Sequence, residues 1–234
     1  MRVLACLLLA CLGCTSELRP FGEAIVIVDT DAPVPKLVNT LRVDFYRDDG
    51  TWFDTLETRA LGPEAWPVSF SVFNEDETTT RAVVLRLRAY SAGKVRDYRG
   101  ERFSDRPIGA PRDPVPDPIP PQNGDPRLVR DGLDITPATE PLPNLTIDRL
   151  ARIELPPGEV GASMLVLRAA CAGTMANLAT RESCIDVEGV RGPLTTLPVE
   201  TGLERPASLA GSAFTFEPCP AEAPDPDAVC VPGG

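Results

Sequence analysis

The chain has 234 residues, 43% of them hydrophobic, which is enough for one domain of moderate size or two small ones. Its 23 basic and 34 acidic residues leave a net charge of −11, a balance that repels phosphate backbones and sets nucleic acid aside as a partner. Histidine is absent, which removes Ser-His-Asp and Cys-His nucleophiles, histidine zinc sites and histidine general bases together, and the 26 prolines weigh against long helices.

At the N-terminus, a single positive charge at Arg2 precedes an apolar run of about ten residues, half of the roughly twenty needed to span a bilayer. Gly13 then precedes Cys14. The pattern resembles bacterial lipoprotein signal peptides, in which a leucine-like residue stands three before, and a small residue just before, the cysteine that is lipidated. Leu8-Leu9-Ala10-Cys11 also fits but leaves a very short signal. Cys14 is preferred, because lipidation there leaves four thiols, Cys171, Cys184, Cys219 and Cys230, an even set suited to an oxidising compartment. The resemblance implies a signal peptide over residues 1–13, a tether over 14–23 and a membrane partner reached through N-terminal lipid. With Thr15 where an aspartate would favour inner-membrane retention, it further implies delivery to the outer membrane.

Strand signals begin with Ala24-Ile25-Val26-Ile27-Val28, a compact β-branched run. Leu41, Val43 and Phe45 then alternate with polar residues, and Asp48-Asp49-Gly50 closes a hairpin onto Trp52 to Leu56. Val68, Phe70 and Val72 form a further inward row, as do Val83, Leu85, Leu87 and Ala89. Later, Ile147, Ala151, Ile153 and Leu155 share a face, Pro156-Pro157-Gly158 turns, and Leu165, Leu167 and Ala169 lead to Cys171. A last short strand is read within residues 194–199. The spacing predicts an all-β fold, an immunoglobulin-like antiparallel β-sandwich over residues 24–200.

Between Arg102 and Pro143 the prolines are too dense for a regular ladder, so residues 102–145 are read as a stiff, extended insertion lying over the domain or projecting from it. Residues 201–234 are read as a low-order acidic tail. The four late cysteines allow three pairings; the local one, Cys171 with Cys184 and Cys219 with Cys230, has the smaller loop-closure cost. No Cys-x-x-Cys spacing favours zinc, and neither a metal nor another cofactor is expected.

Arg86, Arg88 and Tyr90 share a strand face, and Arg96 and Arg99 follow, which gathers cations and aromatics in an otherwise acidic chain. The stripe is a candidate site for an anionic glycan or carboxylate, since arginine offers a planar fork of donors. The preferred reading is an exposed sheet face neutralised by groups such as Asp44 and Asp97, where removing Arg86 and Arg88 would cost less than about 1 kcal/mol. Asp29, Asp31, Asp48 and Asp49 carry oxygens suited to calcium, yet they lack EF-hand spacing and read as turn residues. No carboxylate pair stands out by context as a glycosidase couple, with only Trp52 and Trp66 as sugar platforms.

The segments Val26-Ile27-Val28-Asp29-Thr30-Asp31, Leu41-Arg42-Val43-Asp44, Gly50-Thr51-Trp52, Arg86-Leu87-Arg88-Ala89-Tyr90 and Arg96-Asp97-Tyr98-Arg99-Gly100-Glu101 resemble the N-terminal region of uncharacterised Gram-negative envelope lipoproteins. Some of these carry a C-terminal domain similar to formylglycine-generating enzymes, the sulfatase-modifying factors. Cys230-Val231-Pro232-Gly233-Gly234 looks like the opening of such a domain, and no catalytic position of that family falls within these residues. The expected function is a noncatalytic, lipid-anchored envelope module that binds or spaces a protein or polysaccharide partner. The alternative is an accessory N-terminal region of a longer formylglycine-generating-enzyme-like lipoprotein.

Overall fold

The computed structural model describes residues 21–97, 127–205 and 207–210. The strands in chain order are β1 (Gly22–Thr30), β2 (Thr40–Arg47), β3 (Trp52–Arg59), β4 (Val68–Asn74), β5 (Arg81–Tyr90), β6 (Val95–Asp97), β7 (Val129–Arg130), β8 (Leu133–Asp134), β9 (Thr139–Pro141), β10 (Ile147–Leu155), β11 (Val160–Leu167), β12 (Glu182–Cys184), β13 (Arg191–Pro193) and β14 (Thr195–Leu197). Two sheets carry the fold: a three-stranded sheet in the order β11-β1-β4 and a five-stranded sheet in the order β14-β10-β5-β2-β3. Short ribbons join β12 to β13, β6 to β9 and β7 to β8.

The inward rows read from the sequence meet between the two sheets. Ala24, Val26 and Val28 of β1 pack in one core with Leu41, Val43 and Phe45 of β2 and with Val83, Leu85, Leu87 and Ala89 of β5. Ile147, Ala151, Ile153 and Leu155 of β10 and Leu165 and Leu167 of β11 complete it. A period of two puts alternate side chains on one face, so each strand contributes every second residue to this layer. Phe70 meets Phe45 edge-on at 5.7 Å between ring centroids, a favoured aromatic geometry that seats β4 over β2. The β2–β3 hairpin turns at Gly50, whose φ of 88° is the left-handed conformation that a glycine adopts without a Cβ penalty.

The fold is an all-β sandwich. Most pairs are antiparallel, and two run parallel, β1 with β11 and β10 with β14. Parallel neighbours need long connections, and here the chain crosses between sheets before each pair forms.

Two expected boundaries are corrected. Residues 127–145 hold short ladders that the proline density argued against: they build β7, β8 and β9, and they lie over the outer face of the five-stranded sheet, one of the two placements left open by the sequence. Leu128 is buried there against Tyr46, Trp52 and Val84, with Leu178 and Leu194 packed alongside, so this sheet has a second, smaller core on its far side. Of the prolines in this segment Pro137 lies in a loop, Pro141 ends β9 and Pro143 opens a 3-10 turn, so none sits inside a ladder. The first part of the tail is also ordered. Arg205 donates to the Pro67 carbonyl, and Ser208 and Leu209 bind the Asp29 carboxylate at 2.9 and 2.7 Å. Residues 98–126 and 211–234, with the remainder of the insertion and tail, lie outside the described residues.

Candidate functional site

The stripe expected on β5 sits on the outer face of the five-stranded sheet, between β2 and β10. That face is not exposed, which corrects the preferred reading of the sequence. Arg42, Arg88 and Tyr90 are at most 3% exposed, and Asp44 and Asp148 are fully buried. The burial comes from the returning segment that carries β9 and from residues 172–184.

The charges under this cover are paired within the chain. Asp44, in the middle of β2, accepts from Arg42 Nε at 3.0 Å, from the Thr55 hydroxyl at 2.7 Å and from Arg88. Arg88 also faces Glu140 of β9 at 3.6 Å, and Arg96 of β6 closes on the same carboxylate at 2.7 Å. Arg86 forks onto Asp148, which accepts in addition from the Ala176 backbone N–H at 3.1 Å. The Tyr90 hydroxyl donates to Glu57 at 2.8 Å, and Arg42 reaches the Thr139 carbonyl at 2.8 Å. Four guanidinium groups therefore meet three buried carboxylates, with Glu57 close by, in a network that runs across β3, β2, β5 and β10 and into the cover.

The electrostatics follow from this geometry. Burial alone would push the Asp44 carboxyl up, but the guanidinium groups of Arg88 and Arg42, helped by the Thr55 and Arg42 hydrogen bonds, hold it below the usual carboxylate range. Burial likewise opposes the charge on Arg86, and Asp148 more than offsets it, so the guanidinium stays firmly protonated. Burial and the hydrogen bond to Glu57 push the Tyr90 phenol up, which keeps it a donor. Arginine suits such a network because its fork satisfies two oxygens at once and does not lose its proton.

Of the sequence-derived candidates, Arg86, Arg88, Tyr90 and Arg96 are brought together, and Arg99 lies outside the described residues. Glu140, Asp148, Glu57 and Thr55 complete the set and were not singled out from the sequence. A legible signal was the mixture of Tyr46, Val84 and Leu150 into the supposedly exposed rows of β2, β5 and β10, since apolar residues on both faces of a strand mark burial on both faces.

The four aspartates considered for calcium do not converge. Asp29 holds the tail at Ser208 and Leu209, Asp31 pairs with Arg168 at 3.0 Å, Asp48 accepts from Arg181 at 3.1 Å, and Asp49 accepts from the Thr51 N–H at the hairpin turn. Among the described residues no cluster of three or more acids, cysteines or histidines is placed to hold a metal ion. Cys171 and Cys184 form a disulfide with 5.5 Å between their Cα atoms, while Cys14, Cys11, Cys219 and Cys230 lie outside the described residues. Both tryptophans are buried: Trp52 stacks on Tyr46, and Trp66 packs in the main core. A cleft of about 350 Å³ opens beside the second core, with Tyr46, Val84, Leu150 and Leu178 along its wall and Arg47 and Arg181 at its rim. Arg181 is already held there by the Asp48 carboxylate and carbonyl.

No family model matches the chain, and no curated protein matches it. A solved chain described as "a putative adhesin from Bacteroides ovatus" is similar at 11% identity and a TM-score of 0.31, over 67% of this chain and 48% of that one. The present chain thus covers about half the length of that chain. Among the described residues no helix is long and apolar enough to cross a membrane.

Proposed function

We propose that the protein is a noncatalytic module of the cell envelope, anchored by lipid at Cys14 to the outer membrane, that spaces or presents a contact surface for an envelope protein or polysaccharide. The observation that carries the reading is the buried, internally paired network around Asp44, Glu140 and Asp148. Among the described residues these buried charges face their own cover, and each of the three carboxylates is paired with at least one guanidinium of the same set, with Arg88 Nε left without a hydrogen-bond partner. A ligand site needs groups that converge on open space, whereas a rigid spacer needs polar groups that lock layers together. The export signal supplies the location: residues 1–13 have the length and flanks of a lipoprotein leader, and the oxidised Cys171–Cys184 pair suits an exported chain.

Mass spectrometry of the mature N-terminus, taken from fractionated envelopes, tests this directly. The expected result is an acylated Cys14 in the outer-membrane fraction. An unmodified N-terminus at Thr15 or later, or recovery in the soluble fraction alone, would contradict the anchor. Acylation at Cys11 would move the site and keep the reading.

A further inference from the structure

Among the described residues, β4 is the long edge strand of the two main sheets that nothing blunts. At the other edge of the same sheet, Glu200 pairs with Ala162 and covers the middle of β11. In the five-stranded sheet the edge strand β14 is only three residues long, and the edge strand β3 carries the charges of Asp54, Glu57 and Arg59. β4, Val68-Ser69-Phe70-Ser71-Val72-Phe73-Asn74, holds no charge, no proline and no bulge, the devices by which edges avoid pairing.

The register shows which groups this edge offers. The Glu23 N–H donates to the Glu159 carbonyl, toward β11, so the alternate residues Ala24, Val26 and Val28 turn their backbone groups toward β4. Their partners Val72, Phe70 and Val68 are thereby satisfied, and the N–H and C=O groups of Ser69, Ser71 and Phe73 point outward. Among the described residues no backbone group pairs with them. The inner row is unfinished at the same edge, where Val68 and Phe70 are only half-buried, and on the outer face Phe73 is 52% exposed.

We infer that this edge pairs with the same edge of a second copy of the chain, antiparallel about a two-fold axis at Ser71, joining two three-stranded sheets into one of six strands. In that register Ser71 faces Ser71 of the second copy, and Ser69 faces its Phe73, so every outward residue enters a hydrogen-bonded pair. The side chains match as well. A serine stands opposite each Phe73 on the outer face, and Phe70 stands opposite Val72 on the inner face, where Val68 and Phe70 gain the cover they lack. At either end Glu75 comes opposite Pro67 of the second copy, whose carbonyl holds Arg205, so an acid meets a base. The strand carries none of the chain's net charge of −11, and two copies meet along it without like-charge repulsion. The contact does not depend on the lipid anchor.

Sedimentation of the full chain over a range of concentrations, beside Ser71→Lys, Ser71→Glu and an equimolar mixture of the two variants, tests the pairing. The wild type is expected to dimerise. Each substitution sets like charges face to face at the axis and is expected to weaken the dimer about fivefold or more, while the mixture, in which ammonium faces carboxylate, restores it. Ser71 is exposed, so both variants are expected to keep the wild-type unfolding midpoint. A wild type that stays monomeric up to about 1 mM would overturn the proposal. A dimer that neither substitution weakens, or a loss that mixing does not repair, would overturn it as well.

Discussion

Arg86 reaches past Leu150, its direct neighbour across the ladder, and holds Asp148 on the diagonal, with Nε 3.1 and 3.2 Å from the two carboxylate oxygens and Nη2 2.6 Å from one of them. Arg88 does the converse: Asp148 is its register partner on β10, yet it bonds Asp44, which is the register partner of Arg86 on β2. Diagonal neighbours in an antiparallel pair are about 7–8 Å apart at the backbone, a span that an arginine covers easily. The two crossed pairs tie three strands together, and Glu140 and Ala176 tie the cover onto them.

Arg88→Ala is therefore expected to destabilise the fold by about 3–5 kcal/mol, since it removes one of the two cations on the fully buried Asp44 and one of the two on Glu140. Urea unfolding with an unchanged m-value measures it. A loss under about 1 kcal/mol, as an exposed ion pair would give, contradicts the burial.

Leu128→Ala tests the cover from its apolar side. Read as part of an extended excursion, Leu128 would contribute almost nothing. Packed as it is against Tyr46, Trp52 and Val84, its truncation is expected to cost about 2–5 kcal/mol in the same unfolding measurement.

The main sandwich was legible in the sequence and its cover was not. The rows Leu41-Val43-Phe45, Val83-Leu85-Leu87-Ala89 and Ile147-Ala151-Ile153-Leu155 alternate cleanly, because one face of each strand must exclude water, and all three rows lie in the core. Arg42, Asp44, Arg86 and Arg88 occupy the intervening positions, and charge at such positions usually means solvent. Their burial is decided by β9 and its neighbours, which are distant in sequence and lie in a segment whose proline content argues against strands. The parallel pairing of β1 with β11 was hidden for a related reason: register between strands more than a hundred residues apart leaves no local pattern.

The acid limb of the stability curve follows from Asp44. Its carboxyl is held below the usual range, so on acidification the unfolded chain takes up a proton first. The stabilisation is fully present above about pH 4 and is lost as the pH falls through the lower folded value. With no histidine in the chain, thermal midpoints are expected to stay flat from about pH 5.5 to 8 and to fall only below about pH 4. A drop beginning near neutrality would contradict this assignment, and Asp44→Asn should shallow the acid limb.

The Cys171–Cys184 bridge closes a loop of 13 residues in sequence separation and fixes the segment that delivers the Ser183 hydroxyl to the Leu150 N–H at 3.0 Å and the Ala176 N–H to Asp148. Replacing both cysteines by serine is expected to cost about 2–4 kcal/mol, read as a lowered unfolding midpoint. Nonreducing peptide mapping should also show Cys219 linked to Cys230; free thiols or a crossed pairing would contradict the local scheme.

The most direct measurement is a double-mutant cycle on Arg86 and Asp148, built from Arg86→Met, Asp148→Leu and the pair together, each followed by urea unfolding. For a fully buried carboxylate gripped by a fork, each single substitution strands a charge and the second relieves it, so a coupling of more than about 1.5 kcal/mol is expected. A coupling below about 0.5 kcal/mol would mean that the two groups meet water rather than each other, and would reopen the arginine stripe as a surface for a ligand.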